Sequence, residues 1–101
     1  MFSIRCGSIE IMALSDGYID FDARRALPDV PESVWAEAPA GVVGADLRCW
    51  LTSYLIRAGS RVVLVDTGLG PRLTDWWRGS YGEMPQALTA AGVGVEDVDT
   101  I

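Results

Sequence analysis

The chain has 101 residues, of which 50% are hydrophobic, with 14 acidic against 8 basic side chains and no histidine, for a net charge of −6. That length suits one small domain, and the apolar content predicts a packed core rather than disorder. The acidic balance and scattered arginines exclude a nucleic-acid binder, which needs clustered cations against phosphate.

Phe2 to Cys6 and Ile9 to Leu14 read as a strand pair or one bent strand, with Gly7-Ser8 as turn or bulge. Asp16-Gly17 is a turn signal. Tyr18 to Phe21 either adds a short strand or carries the turn outward, with Tyr18 and Phe21 forming a small satellite cluster. Residues 22–45 form a long excursion, because Pro28, Pro31 and Pro39 interrupt any regular element. Val34 to Ala38 predicts about one helical turn. An excursion this long usually serves a function such as a lid or binding loop. Its one large apolar side chain, Trp35, is read first as an anchor tying the loop to the body, and second as a substrate contact.

Residues 49–70 form the centre of the sequence pattern. Cys49 to Arg57 predicts a strand with Trp50, Thr52, Tyr54 and Ile56 on one face and Leu51, Ser53 and Leu55 on the other. Ala58-Gly59-Ser60 is the turn. Val62 to Val65 is an unbroken apolar run that suits a strand covered on both faces. Asp66 then ends the run. Such an aspartate either bonds the backbone at Thr67 or Gly68 and shapes the turn, or it serves a site at the strand's end. Gly68 and Gly70 resemble a phosphate loop only superficially, since neither nucleotide-binding fingerprint is present. Leu73 to Arg78 is read as a short helical segment, with Trp76 and Trp77 about 100° apart. Met84 to Ala91 predicts a helix, with Pro85 in its first turn and Gly92 just past its end. The acids of Val95 to Ile101 lack calcium-loop spacing and read as a solvated turn. Asp46 and Arg48 are expected to be solvated. Thr100-Ile101 reads as the start of a further β-branched element, so a truncated product or a partial gene model is the simplest account.

Cys6 and Cys49 make no disulfide framework and are expected to be reduced, mostly buried thiols in a cytoplasmic protein. Without histidine they complete no four-ligand zinc site. No window approaches the ~18 apolar residues of a membrane span. Arg5 and Glu10 interrupt the apolar start, so no signal-peptide pattern is present.

Tyr54-Leu55-Ile56-Arg57 followed by Val63-Leu64-Val65-Asp66-Thr67-Gly68-Leu69-Gly70 resembles the first conserved region of the metallo-β-lactamase-fold hydrolases. Ile9 to Gly17 resembles that family's opening strand, nearest to its lactonase-like and organophosphate-hydrolase-like members. Leu88 to Ile101 resembles the helix and lead-in before its metal motif, His-x-His-x-Asp-His, which this chain lacks. The resemblance implies an α+β fold: a partial αββα sandwich, whose N-terminal mixed or antiparallel sheet and one or two short helices occupy residues 1–101 as part of a single domain. It implies that Asp66 lies beneath the metal loop as a supporting residue, with Thr67 and Gly68 shaping the same turn and Trp35 on a loop at the pocket mouth. No catalytic residue and no metal ligand is assigned to the chain itself. The full-length parent is expected to carry one or two zinc ions and to hydrolyse a small molecule such as a lactone, ester or phosphoester. The chain alone is expected to be inactive, to bind zinc poorly and to self-associate. The alternatives are a non-catalytic β-rich interaction module and a degenerate scaffold of the same fold.

Overall fold

The computed structural model describes residues 2–37, 42–43, 45–71 and 77–101. Strands β1 (Phe2–Cys6) and β2 (Ile9–Asp22) open the chain, followed by single-turn helices α1 (Ala23–Ala26) and α2 (Glu32–Trp35). Then come β3 (Val42–Val43), β4 (Asp46–Ala58), β5 (Arg61–Val65), β6 (Arg78–Tyr81) and α3 (Met84–Ala90), with a 3-10 turn at Val95–Asp97.

The long antiparallel pair β2–β4 is the spine of one six-stranded sheet. At one end it is flanked by β1 and β5, at the other by β6 and β3. The expected hairpin is therefore present, with β4 starting earlier than its apolar pattern suggested. A bulge between Ser15 and Gly17 marks the change from one half of the sheet to the other. Here the sequence reading needs correction. Asp16-Gly17 does not end the strand; the φ of +109° at Gly17 is used inside it. A side chain at Gly17 would overlap the Ser80 carbonyl, so glycine lets β6 approach β2. The same residue types signal turns and bulges, and the long-range partner decides between them.

Directly opposed residues in a ladder share a face. Met12, Leu55 and Leu64 stand in one row. With Leu14, they pack beneath Met84 and Leu88 of α3 and Val93 beyond it, forming the core. Helix α3 ends as predicted. Gly92, at φ +72°, donates to the Thr89 carbonyl, and Val93 donates to that of Leu88, a Schellman closure. Arg57 adds a guanidinium bond to the Ala91 carbonyl at 2.7 Å.

The opposite face is open. The rows Phe2–Ala13–Tyr54–Val65 and Ile4–Ile11–Ile56–Val63 carry apolar side chains that nothing among the described residues buries fully. Phe2 is 70% exposed and Tyr54 and Val65 are each 46% exposed. This corrects the expectation for Val62 to Val65: only Leu64 is buried, so β5 is covered on one face. Cys6 and Cys49 are likewise exposed rather than buried, and both are free thiols. β1 is an edge strand exposed along its length, and Cys49 lies at the far end of the β2–β4 ladder from Cys6's neighbour Ile9.

The excursion is held at defined points. Trp35, the expected anchor, is 5% exposed. Arg24 pairs with Glu32 across it. Residues 38–41 and 72–76 fall outside the described residues, including Pro39 and Trp76. Trp77 packs edge-to-face on Phe21 at 5.0 Å, and Tyr18 on Trp50 at 5.6 Å. The expected satellite cluster is thus two aromatic pairs. Of the expected helical segment, residues 73–76 lie outside the described residues, and Arg78 at its end is in a strand: β6 gains its hydrogen bonds from β2, which its own sequence does not announce.

Asp46 and Arg48 are also corrected. Arg48 makes a bidentate pair with Asp20 at 2.9 and 3.0 Å and lies 3.9 Å over the Tyr18 ring. Asp46 faces Asp22 across the β2–β4 ladder, and Arg78 neutralises it through two bonds. Hydrogen bonds from Arg48 hold the Asp20 carboxyl below its ordinary value. Because the folded pKa is the lower one, this contribution to stability is complete above about pH 4 and disappears as pH falls through the folded value. Arg48→Met is therefore expected to lower the melting midpoint at pH 7, with the gap from wild type closing below about pH 4. A gap of equal size at pH 2 would show that Arg48 acts through packing alone.

Candidate functional site

The site region is the turn Asp66–Gly70 at the C-terminal end of β5. Asp66 has φ +69°, a left-handed conformation that aspartate tolerates because its side chain can bond locally. Its Oδ1 accepts from the Gly68 N–H at 2.9 Å, an Asx turn. The carboxylate is otherwise exposed. The turn-shaping interaction is therefore present, and the second carboxylate oxygen has no hydrogen bond among the described residues.

Beneath the turn lies a residue that sequence reasoning missed. Asp16, the extra residue of the β2 bulge, is fully buried. Its Oδ2 accepts from the Leu69 N–H and its Oδ1 from the Met84 N–H, both at 2.8 Å. No local pattern could have found it, because its donors lie 53 and 68 residues along the chain. Ser53, 1% exposed, is the other polar group below the turn, and its hydroxyl has no hydrogen-bond partner among the described residues. It lines a cavity of about 90 Å³ with Asp66, Gly68 and Leu69.

On the α3 side, Thr67 borders an apolar cleft of about 260 Å³ lined by Leu64, Met84, Leu88, Val98 and Ile101. The chain reaches this cleft in a specific direction. Leu64 donates to the Thr100 carbonyl at 2.9 Å and Asp99 to that of Val62 at 2.8 Å, so Thr100 pairs with Val63 in parallel. The β-branched element expected at Thr100-Ile101 thus begins beside β5. Of the acids near the end, Asp97 accepts from the Gly94 N–H within its own turn, while Asp99 accepts from the Val62 N–H of β5.

Trp35, buried within the excursion, does not line any of these hollows. A separate cavity of about 520 Å³ opens beside the excursion, where Asp20, Asp22 and Asp46 meet Arg25 and Arg78.

A protein zinc site commonly uses three or four His, Cys, Asp or Glu ligands. The sequence has no histidine, and no group of three such side chains among the described residues could hold an ion. The residues present therefore do not fit zinc by themselves. No helix among the described residues is long and apolar enough to cross a membrane.

No protein-family model and no curated protein matches the chain. Solved structures do. A probable metal-dependent hydrolase from Staphylococcus aureus matches 95% of this chain with a TM-score of 0.75 at 17% identity. AidC, a dizinc quorum-quenching lactonase solved with N-hexanoyl-L-homoserine, its product, matches 96% with a TM-score of 0.74 at 20% identity. The hydrolase AbOPH of the β-lactamase superfamily matches 99% with a TM-score of 0.76 at 21% identity. The chain spans 37%, 33% and 34% of those three proteins, respectively. Identities this low speak to fold alone, and on that ground the chain folds as about a third of a metallo-β-lactamase sandwich.

Proposed function

We propose that this chain is the N-terminal part of a zinc-dependent hydrolase, in which Asp66, Thr67 and Gly68 support the loop that carries the metal ligands. The observation that carries this reading is the parallel pairing of Thr100 with Val63. It sends whatever follows Ile101 along β5 towards the exposed carboxylate of Asp66. Histidines arriving there would meet that carboxylate as a hydrogen-bond acceptor, and such supporting partners orient metal ligands. Zinc held by such histidines would supply an activated water and polarise the scissile group. The protein's own residues supply the fixed turn. The lactonase among the matched structures supports a lactone as the substrate; an ester or a phosphoester rests on the sequence resemblance alone.

The test is Asp66→Asn in a protein extended past Ile101. Asparagine keeps the size and the bond to Gly68 but loses the charge. Zinc affinity and hydrolysis are each expected to fall roughly 10–100-fold. In the 101-residue chain the same change should do no more than loosen the turn. An extended protein that binds no zinc and hydrolyses none of the three substrate classes would end this reading. The open apolar face of the sheet favours the second reading, a β-rich interaction module. The coding sequence beyond codon 101 separates the two, because the hydrolase needs His-x-His-x-Asp-His within about ten residues, an ordinary connection length.

A further inference from the structure

We propose that Asp16, rather than Asp66, fixes the location of the turn after β5, and so is a second positioning residue of the candidate site beneath Asp66. Its bearing on hydrolysis rests on the reading above; its grip on the turn does not.

Among the described residues, Asp66 bonds only two residues ahead, to Gly68. A bond that local gives the turn its shape and says nothing about where the turn lies on the sheet. Location comes from Asp16. One of its oxygens holds Leu69 in the turn, and the other holds Met84 at the start of α3. Its main-chain carbonyl also accepts from the Glu83 N–H at 3.4 Å. Glu83, the cap residue of α3, makes no side-chain cap bond of its own. Asp16 supplies that cap from another element, and in the same stroke ties the helix to the turn.

Chemistry makes the arrangement demanding. A buried carboxylate with an unsatisfied oxygen is costly, and no guanidinium pairs with Asp16 among the described residues. Its two amide donors are therefore required by the carboxylate as much as it is required by them. Gly68 completes the fit, since a methyl group there would overlap the Asp16 carboxyl group. The turn and α3, which both border the Thr67 cleft, are thus registered through one side chain.

Amide hydrogen exchange followed by NMR on the 101-residue chain tests the grip directly. In the wild type, the Leu69 and Met84 amides should be protected at least about tenfold over an unstructured peptide and should resonate downfield, as amides bonded to a carboxylate do. Asp16→Asn offers one acceptor oxygen in place of two and should speed exchange at one or both by about tenfold relative to Leu55 and Leu64. Asp66→Ala should release Gly68 and leave Leu69 and Met84 protected. Unprotected Leu69 and Met84 amides in the wild-type chain overturn the proposal without any variant, as does an Asp66→Ala that releases both. In the extended protein, Asp16→Asn should weaken zinc binding roughly 10–100-fold, while Leu14→Ala, a core change, should leave it nearly intact. Equal weakening by both reduces Asp16 to a general structural role. If the extended protein binds no zinc at all, the hydrolase reading fails while the exchange results stand.

Discussion

Leu55→Ala is expected to cost about 2–5 kcal/mol, a large part of the ~5–15 kcal/mol that holds a domain of this size together. Leu55 is fully buried on β4, which pairs with β2, β3 and β5, and it stands between Met12 and Leu64 beneath α3. No neighbouring element is free to collapse into the space, because β2 and β5 are fixed by ladders on either side. Urea unfolding should show a lower midpoint with an unchanged slope. Thr52→Ala, on the exposed face of the same strand, should change stability by less than about 0.5 kcal/mol. A loss below about 1 kcal/mol for Leu55→Ala would mean that the sheet and α3 are not joined through one core.

The second large effect concerns the open face. Phe2, Ile4, Tyr54 and Val65 present apolar surface on adjacent rows, and β1 leaves an unpaired strand edge beside them. Contiguous apolar patches and bare edges drive association. Sedimentation at tens of micromolar should therefore give a mass well above the 10.9 kDa of one chain. Ile4→Lys combined with Tyr54→Glu places charge on two rows without touching the core, and should return the mass to that of the monomer. A wild-type chain that stays monomeric across this range would show that the face tolerates water.

How far the sequence could be read follows from where each signal resides. The β4–β5 hairpin was legible because period-two alternation, a glycine turn and a β-branched run all lie within twenty residues. The ends of α3 were legible for the same reason: Pro85 and Gly92 act locally. The excursion was legible from its prolines, and Trp35 from its size. Asp16 was not, because an Asp-Gly pair looks the same in a hairpin turn and in a bulge until its partners Leu69 and Met84 are known. β6 was hidden likewise, since Arg78–Tyr81 has little intrinsic strand preference and is recruited by β2. Exposure of Cys6, Cys49 and Val65 was misjudged because residue type reports what a side chain prefers, not whether a second layer is there to cover it. Within the site, Asp66 was found from a motif, while the groups beneath it required the fold.

The β2–β4 ladder has a further consequence. It closes at Asp22 and Asp46, directly across the sheet, so the intervening excursion enters and leaves at one point. For a loop whose ends are fixed in this way, closure entropy grows only with the logarithm of its length, about 0.6 kcal/mol for each doubling. The excursion could therefore double in length for less than the loss expected from one truncated leucine in the core. Provided the Trp35 anchor is kept, this part of the molecule can be exchanged wholesale while the frame stays the same. A scaffold built on this ladder can acquire a differently shaped rim by insertion or deletion, without re-evolving the sheet that supports it.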